Sequence, residues 1–188
     1  MKKIFLLFSL LVLFMFGCIN ECQASSSREL VKAAEKGDFE KVQLLVEGGA
    51  DVNGKSSILQ MGTTALMVAS YYNHYEIVKY LIENGADVNA KDGNGHTALM
   101  FAGYRNINLE NENKILKLLI ANGADLNCRS KYGDTALTFN RHYNRVDILL
   151  KAGIDPNIED NEGHTALWHY RDLRDASILI MQYGGIMK

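Results

Sequence analysis

The sequence predicts an all-α solenoid of about five helix–turn–helix units behind a short N-terminal leader. Three observations carry that prediction. The phrase Gly62-Thr63-Thr64-Ala65-Leu66 returns as Gly95-His96-Thr97-Ala98-Leu99, Gly133-Asp134-Thr135-Ala136-Leu137 and Gly163-His164-Thr165-Ala166-Leu167. A second phrase answers it: Gly49-Ala50-Asp51-Val52-Asn53, Gly85-Ala86-Asp87-Val88-Asn89, Gly123-Ala124-Asp125-Leu126-Asn127 and Gly153-Ile154-Asp155-Pro156-Asn157. Between opening and closing phrase the chain holds two short apolar stretches separated by a turn. Two motifs interleaved at a near-fixed period mean one supersecondary unit copied along the chain.

Bulk composition agrees. The 188 residues are 47% hydrophobic and 22% charged, as in a soluble globular domain plus a leader. Formal net charge is -2, and without Lys2 and Lys3 the balance is 18 basic against 22 acidic residues. With no basic excess, nucleic acid is excluded as a partner class. One proline and 16 glycines suit helices punctuated by glycine turns. Cys18, Cys22 and Cys128 make no disulfide framework.

Residues 1–24 read as a secretory signal peptide. Lys2-Lys3 form a cationic start, and Ile4 to Phe16 is apolar except for Ser9. As a helix that run rises only ~20 Å, short of the ~30 Å hydrocarbon core, so a cleaved leader is expected over a permanent anchor. Two processing sites compete. Met15-Phe16-Gly17-Cys18 resembles a bacterial lipobox, which would make Cys18 a lipidated N-terminus. Cys22-Gln23-Ala24 before Ser25 has the small-x-small form of an ordinary signal-peptidase site. The mature domain is then 25–188.

The elements follow in order. Ser25-Ser26-Ser27 is a short linker, and Arg28 to Gly48 reads as two helices about a Gly37-Asp38 turn. Charged Arg28-Glu29 and the lack of an opening phrase make this first unit an N-terminal cap. In unit two, Thr64 is the helix N-cap candidate and Ala65 to Tyr71 the first helix. Asn73 takes the turn, and Glu76 to Glu83 forms a second helix that Gly85 stops. The openings are spaced by 33, 38 and 30 residues. The five extra residues of unit three fall within Asn106–Asn113 and are expected to lengthen the turn between its helices. Unit four is short, with a first helix of about Ala136 to Arg141. The last second helix runs near Ala176 to Gln182, with Ile178, Ile180 and Met181 making its outer face only partly polar. Each unit has an apolar face it cannot bury alone, so stacking builds the core, with small Ala69 and Ala102 permitting close contact.

On these motifs the chain, from about Ser27 onward, resembles the ankyrin-repeat family. The resemblance implies antiparallel helix pairs joined by β-hairpin-like fingers, and a non-catalytic role in binding protein partners. There are departures. The proline usual after the motif threonine is Ala65, Ala98, Ala136 and Ala166, which costs little in a helix. The family's histidine two positions later is Met67, Met100, Thr138 or Trp168, which removes hydrogen bonds between motifs and implies a less rigid stack.

Candidate chemistry is sparse. His74, His96, His142, His164 and His169 lack the spacing of a zinc site, and are read as packing or surface residues. Glu110 and Glu112 sit in a stretch too poor in carboxylates and glycine for calcium, and are read as part of a solvated insertion. Asp51, Asp87, Asp125 and Asp155 brace turns. Cys128 replaces Ala90 of unit two and reads as an inert, partly buried thiol. No catalytic, cofactor or metal residue is assigned.

The binding candidates come from the resemblance. Tyr71-Tyr72, Tyr104-Arg105 and His142-Tyr143 end successive first helices, a position that lines the concave groove in that architecture. Gln60, Met61, Thr63, Lys91, Asn94, His96, Arg129, Lys131, Tyr132, Asp134, Asn161 and His164 map onto the fingers, and together these residues would form one continuous surface. Tyr, Arg and Met are enriched in protein interfaces. The expected function is that of a monomeric, non-catalytic protein-binding module in the envelope of a Gram-negative bacterium, inhibiting or scaffolding an envelope enzyme. The alternatives are a secreted effector that binds a host protein and a histidine-based metal-binding or enzymatic protein.

Overall fold

The computed structural model describes residues 25–56, 61–102, 104, 109–139 and 143–188, without the side chains of Leu109, Tyr143 and Asn144. Among these residues there are ten helices and no extended strand. Helix α1 covers 25–36, and α2 is Phe39–Glu47. Units two to five follow as α3 (Ala65–Tyr71) with α4 (Tyr75–Glu83), α5 (Ala98–Phe101) with α6 (Leu109–Ala121), α7 (Ala136–Phe139) with α8 (Tyr143–Ala152), and α9 (Ala166–His169) with α10 (Arg174–Gln182).

The pairs stack in two layers. The first helices α3, α5, α7 and α9 pack in a row, and the second helices α2, α4, α6, α8 and α10 form a parallel row behind it. From unit two onward the first helices have four to seven residues, and second helices have nine to thirteen. The opening phrase supplies the interface between the rows. Ala65, Leu66, Ala98, Leu99, Ala136, Leu137, Ala166 and Leu167 are all buried, so each motif alanine and leucine is core. Each second helix contributes Val42, Leu81, Leu119, Leu149 or Ile180 from behind. Burial of Ile180 corrects its assignment to the outer face, whereas Ile178 and Met181 are exposed as expected.

The closing phrase locks unit to unit. Asp51, Asp87, Asp125 and Asp155 each accept the amide of the asparagine two residues on, at 2.8–3.0 Å, and so close the turn that follows the second helix. The asparagine then reaches forward. Asn53 Nδ2 donates to the Gly85 carbonyl at 3.0 Å, and its Oδ1 accepts from the Asp87 amide at 2.7 Å. Asn89 makes the same pair to Gly123 and Asp125, at 2.9 and 2.7 Å. Asn127 accepts from the Asp155 amide, and Asn157 holds the chain's last residues through the Gly184 carbonyl and the Ile186 amide. A repeated Asn suits the position because its amide puts a donor and an acceptor on separate atoms, one for each of two neighbouring backbone groups.

Two expectations are corrected. The extra residues of unit three do not simply lengthen a turn, because Leu109 to Asn113 are the start of α6, which is four residues longer than α4. Nor is that stretch wholly solvated: Glu112 is buried, while Glu110 is exposed and paired with Lys114 at 2.6 Å. The first helix of unit four ends at Phe139, with the rest of its expected span outside the described residues. Asn73 takes the turn at φ 67°, as the sequence predicts.

Candidate functional site

Fingers stand at the edge of the row of first helices. Each is closed by a backbone bond across its base: the Ser56 amide to the Thr63 carbonyl at 2.9 Å, Asp92 to His96 at 3.0 Å, Ser130 to Asp134 at 2.8 Å and Asp160 to His164 at 2.9 Å. Neighbouring fingers are tied in series, with the Gly93 amide on the Met61 carbonyl and the Lys131 amide on that of Asn94. Gly133 shows why glycine recurs there. Its φ is +87°, and a Cβ would stand 2.6 Å from the Asn161 nitrogen of the next finger.

Inside the fingers the polar residues serve the turn. Asp92 accepts the amides of Asn94 and His96 through one oxygen, both at 2.8 Å, and the His96 ring through the other at 3.1 Å. The same frame in the last finger has Asp160 accepting from Glu162 and His164 amides, with His169 at 2.8 Å. Burial opposes ionisation of Asp160, but those amide donors and His169 outweigh it and hold its carboxyl below the usual range. In the third finger the roles are exchanged: Ser130 Oγ accepts the amides of Tyr132 and Asp134.

These contacts correct part of the expected surface. His96 and Thr63 are buried and cannot meet a partner. Asp134 is half-buried against Ser130, and His164 stacks on Trp168 at 3.6 Å, with Arg171 over the Trp168 ring at 3.9 Å. Asn94 and Asn161 spend side-chain groups on Met61 Sδ and on the Lys131 carbonyl. Of the finger candidates, Met61, Lys91, Arg129, Lys131 and Tyr132 stay open, and Asn161 is exposed with its amide engaged. Gln60, Arg105, His142, the Tyr143 side chain and Cys18 lie outside the described residues.

The helix-end tyrosines do come together. Tyr71 stacks on Tyr104 at 5.2 Å and meets Tyr72 edge-on at 5.0 Å. The sequence reading missed Phe101 and Phe139, which continue the array. Phe139 lies 5.7 Å from Tyr104, 5.8 Å from Phe101 and 4.6 Å from the His96 ring. Both stand six residues after the opening glycine, one helical turn before the tyrosine position, and that register was the available signal.

Unit two has Val68 at that register. A valine is much smaller than phenylalanine, and space opens beside it. A pocket of about 280 Å³ lies there, lined by Met61, Thr63, Met67, Val68, Tyr71, Tyr72 and Phe101. Tyr72 is fixed at its rim by its hydroxyl, which donates to Glu35 at 3.2 Å. The missing motif histidines are partly replaced, since the Thr138 hydroxyl accepts from the Thr135 amide at 2.9 Å.

A different feature escaped the sequence reading altogether. Eight residues before the stopping glycine, units two and three carry Ile77 and Ile115, both buried, and unit four carries Arg145. Its guanidinium is fully buried. Nη2 donates to the Leu99 carbonyl at 2.9 Å, while Nε and Nη1 have no partner among the described residues. Burial pushes its pKa down to about 10, against the pull of Tyr170 and Glu112. Glu112 is buried too, with neither carboxylate oxygen hydrogen-bonded among the described residues, and burial raises its pKa despite Arg145. The two charges sense each other without forming an ion pair.

Among the described residues no group of three or more His, Cys, Asp or Glu side chains could hold a metal ion, and no helix is long and apolar enough to cross a membrane. Cys128 is buried.

The stacked helix pairs, the asparagine ladder and the linked fingers define a repeat protein of the ankyrin type. The family model described as ankyrin repeats (3 copies) matches residues 10–92, 30–109 and 106–170, and the chain belongs to the ankyrin-repeat family. Ankyrin repeats generally mediate protein–protein interaction. No curated protein matches the chain.

Proposed function

We propose that this chain is a non-catalytic protein-binding module that is exported to the bacterial envelope, where it inhibits or scaffolds an envelope enzyme as a monomer. One observation carries the binding face: aromatic side chains of successive units, half-buried Tyr71 and Tyr72 and exposed Tyr104, converge beside an open apolar pocket on the finger side. Tyrosine offers a large rigid area with a polar tip, and the stacked frame holds it in place before the partner arrives, so little ordering cost remains. Export rests on the cationic start and apolar run of residues 1–24. Attachment to the membrane would be through a lipid on Cys18.

Affinity capture from the envelope fraction tests the face. The Tyr71→Ala/Tyr104→Ala variant should lose the partner while keeping wild-type helicity by circular dichroism, and undiminished capture would refute the groove. Intact mass of the exported protein tests processing: an acylated start at Cys18 supports the lipid anchor, and a start at Ser25 replaces it with a soluble periplasmic form.

A further inference from the structure

We infer that the groove takes an acidic segment of the partner carrying one aromatic anchor, which fills the pocket beside Val68. This rests on the protein-binding reading and adds the chemistry of what is bound.

The anchor follows from shape. A pocket of about 280 Å³ is walled by Met61, Tyr71, Tyr72 and Phe101 over a floor of Met67 and Val68. It is apolar and open, and it sits at the register where the next two units place their own phenylalanines, Phe101 and Phe139. A partner's aromatic ring would extend the array of Tyr71, Tyr104 and Phe139 by one member, at the edge-on and offset geometries those rings already use.

The acidic character follows from charge. The chain as a whole carries more acid than base, 22 residues against 20. The first three fingers invert that balance. Four residues after the root aspartates Asp51, Asp87 and Asp125 stand Lys55, Lys91 and Arg129, all exposed, and Lys131 is exposed beyond them. The root aspartates are exposed at the base of each finger, but the acids further along the arms are withdrawn: Asp92 is buried against His96, and Asp134 is half-buried against Ser130. Lys55 and Arg129 are partly committed to the fingers, Lys55 Nζ to the Lys91 carbonyl and Arg129 to Asn161. Lys91 and Lys131 are left as the outward cations. On the outer helices the pattern is opposite, because Lys79, Lys114 and Lys151 each reach a carboxylate one turn away. None of the four finger cations has a carboxylate within salt-bridge distance among the described residues. In the last finger the corresponding position is Glu159, already paired with Lys188 at 2.8 Å, so the basic stripe stops there. Cations without a carboxylate partner, on fingers tied in series to the one that carries the Met61 wall of the pocket, select an anionic partner and raise its association rate.

A phage-displayed library of random dodecapeptides, panned on the whole mature domain, tests the inference. Enriched peptides should carry Asp or Glu about a Phe, Tyr or Trp. As synthetic peptides they should bind about tenfold more weakly to the Lys91→Glu/Lys131→Glu variant, and weaken as salt rises. They should also weaken when the aromatic residue is replaced by alanine, and on Met61→Ala. Enrichment of peptides without acidic excess, indifference to the charge reversal, or no enrichment at all overturns the inference. Envelope capture by the Tyr71→Ala/Tyr104→Ala variant decides the other question. If groove mutations abolish capture while the peptides show no acidic bias, protein binding stands and this chemistry falls. If capture is unaffected, both fall.

Discussion

Unit two and unit four are copies of one plan built to different standards. Unit two has a seven-residue first helix whose N-cap, Thr64, accepts the Met67 amide, and its core position holds Ile77. Unit four's first helix is described over four residues, and the unit holds Arg145 at that same core position, with two guanidinium nitrogens unpartnered among the described residues. The motif residues Ala65 and Leu66, or Ala136 and Leu137, are equally buried in both. The frame thus survives a charge in its core. Neighbouring units share the interface, so a poor unit is held by the better ones beside it.

The largest effect should come from moving the defect. Ile77→Arg places a charge at a buried apolar position of unit two, and should cost at least about 4 kcal/mol or unfold the domain, read by urea denaturation. Removing the defect from unit four should do the reverse. The double variant Arg145→Ile/Glu112→Gln should gain about 1–4 kcal/mol, because buried charges replaced by fitting neutral groups shed their desolvation cost. A loss of stability would show that the guanidinium is a needed strut.

Next is the ladder that makes units dependent on each other. Asn89→Ala removes two bonds from unit two's closing phrase to unit three's, and should cost about 2 kcal/mol. Hydrogen exchange should rise on both sides of the lost link. Smaller still is the cap. Thr64→Val should cost about 1 kcal/mol, whereas Thr97→Val should be near neutral, since Thr97 caps nothing and its buried hydroxyl has no partner. Equal costs would mean that the two units do not differ at their caps.

The smallest shift is one of pH. Glu112 has a folded-state pKa raised above its ordinary value of 4.5, first by burial and against the pull of Arg145. Its contribution to stability is full below the unfolded pKa and is lost as pH rises through the folded one. Glu112→Gln should therefore be more stable than wild type at neutral pH, with the advantage shrinking as pH falls toward 4.5 in a series of denaturation curves.

Local rules made much of this legible. Thr64 and Asn73, and the glycines that stop each second helix, act through their own few residues, so the ends of α3 and α4 were readable to within a residue. Tyr71 and Tyr104 were placed by repeat register. The finger residues were read less well, because register tells which residues share a loop and not which turn inward. Asp92 and His96 satisfy each other's polar groups and are buried for that reason, and Thr63 is covered by its neighbours. Phe101 and Phe139 went unassigned because an aromatic residue in a short helix reads equally as core.

The sequence by itself determined the repeat, its phase and the helix ends of unit two, because these depend on backbone conformation, capping and an apolar pattern that recur within each unit. Tertiary structure decided the rest. It decided that Val68 leaves a pocket, since a missing volume exists only between side chains brought together from Met61, Tyr71, Tyr72 and Phe101. It likewise decided that the charges of Glu112 and Arg145, 33 residues apart in the chain, share one interior, because burial is a property of stacked units and no single unit contains it.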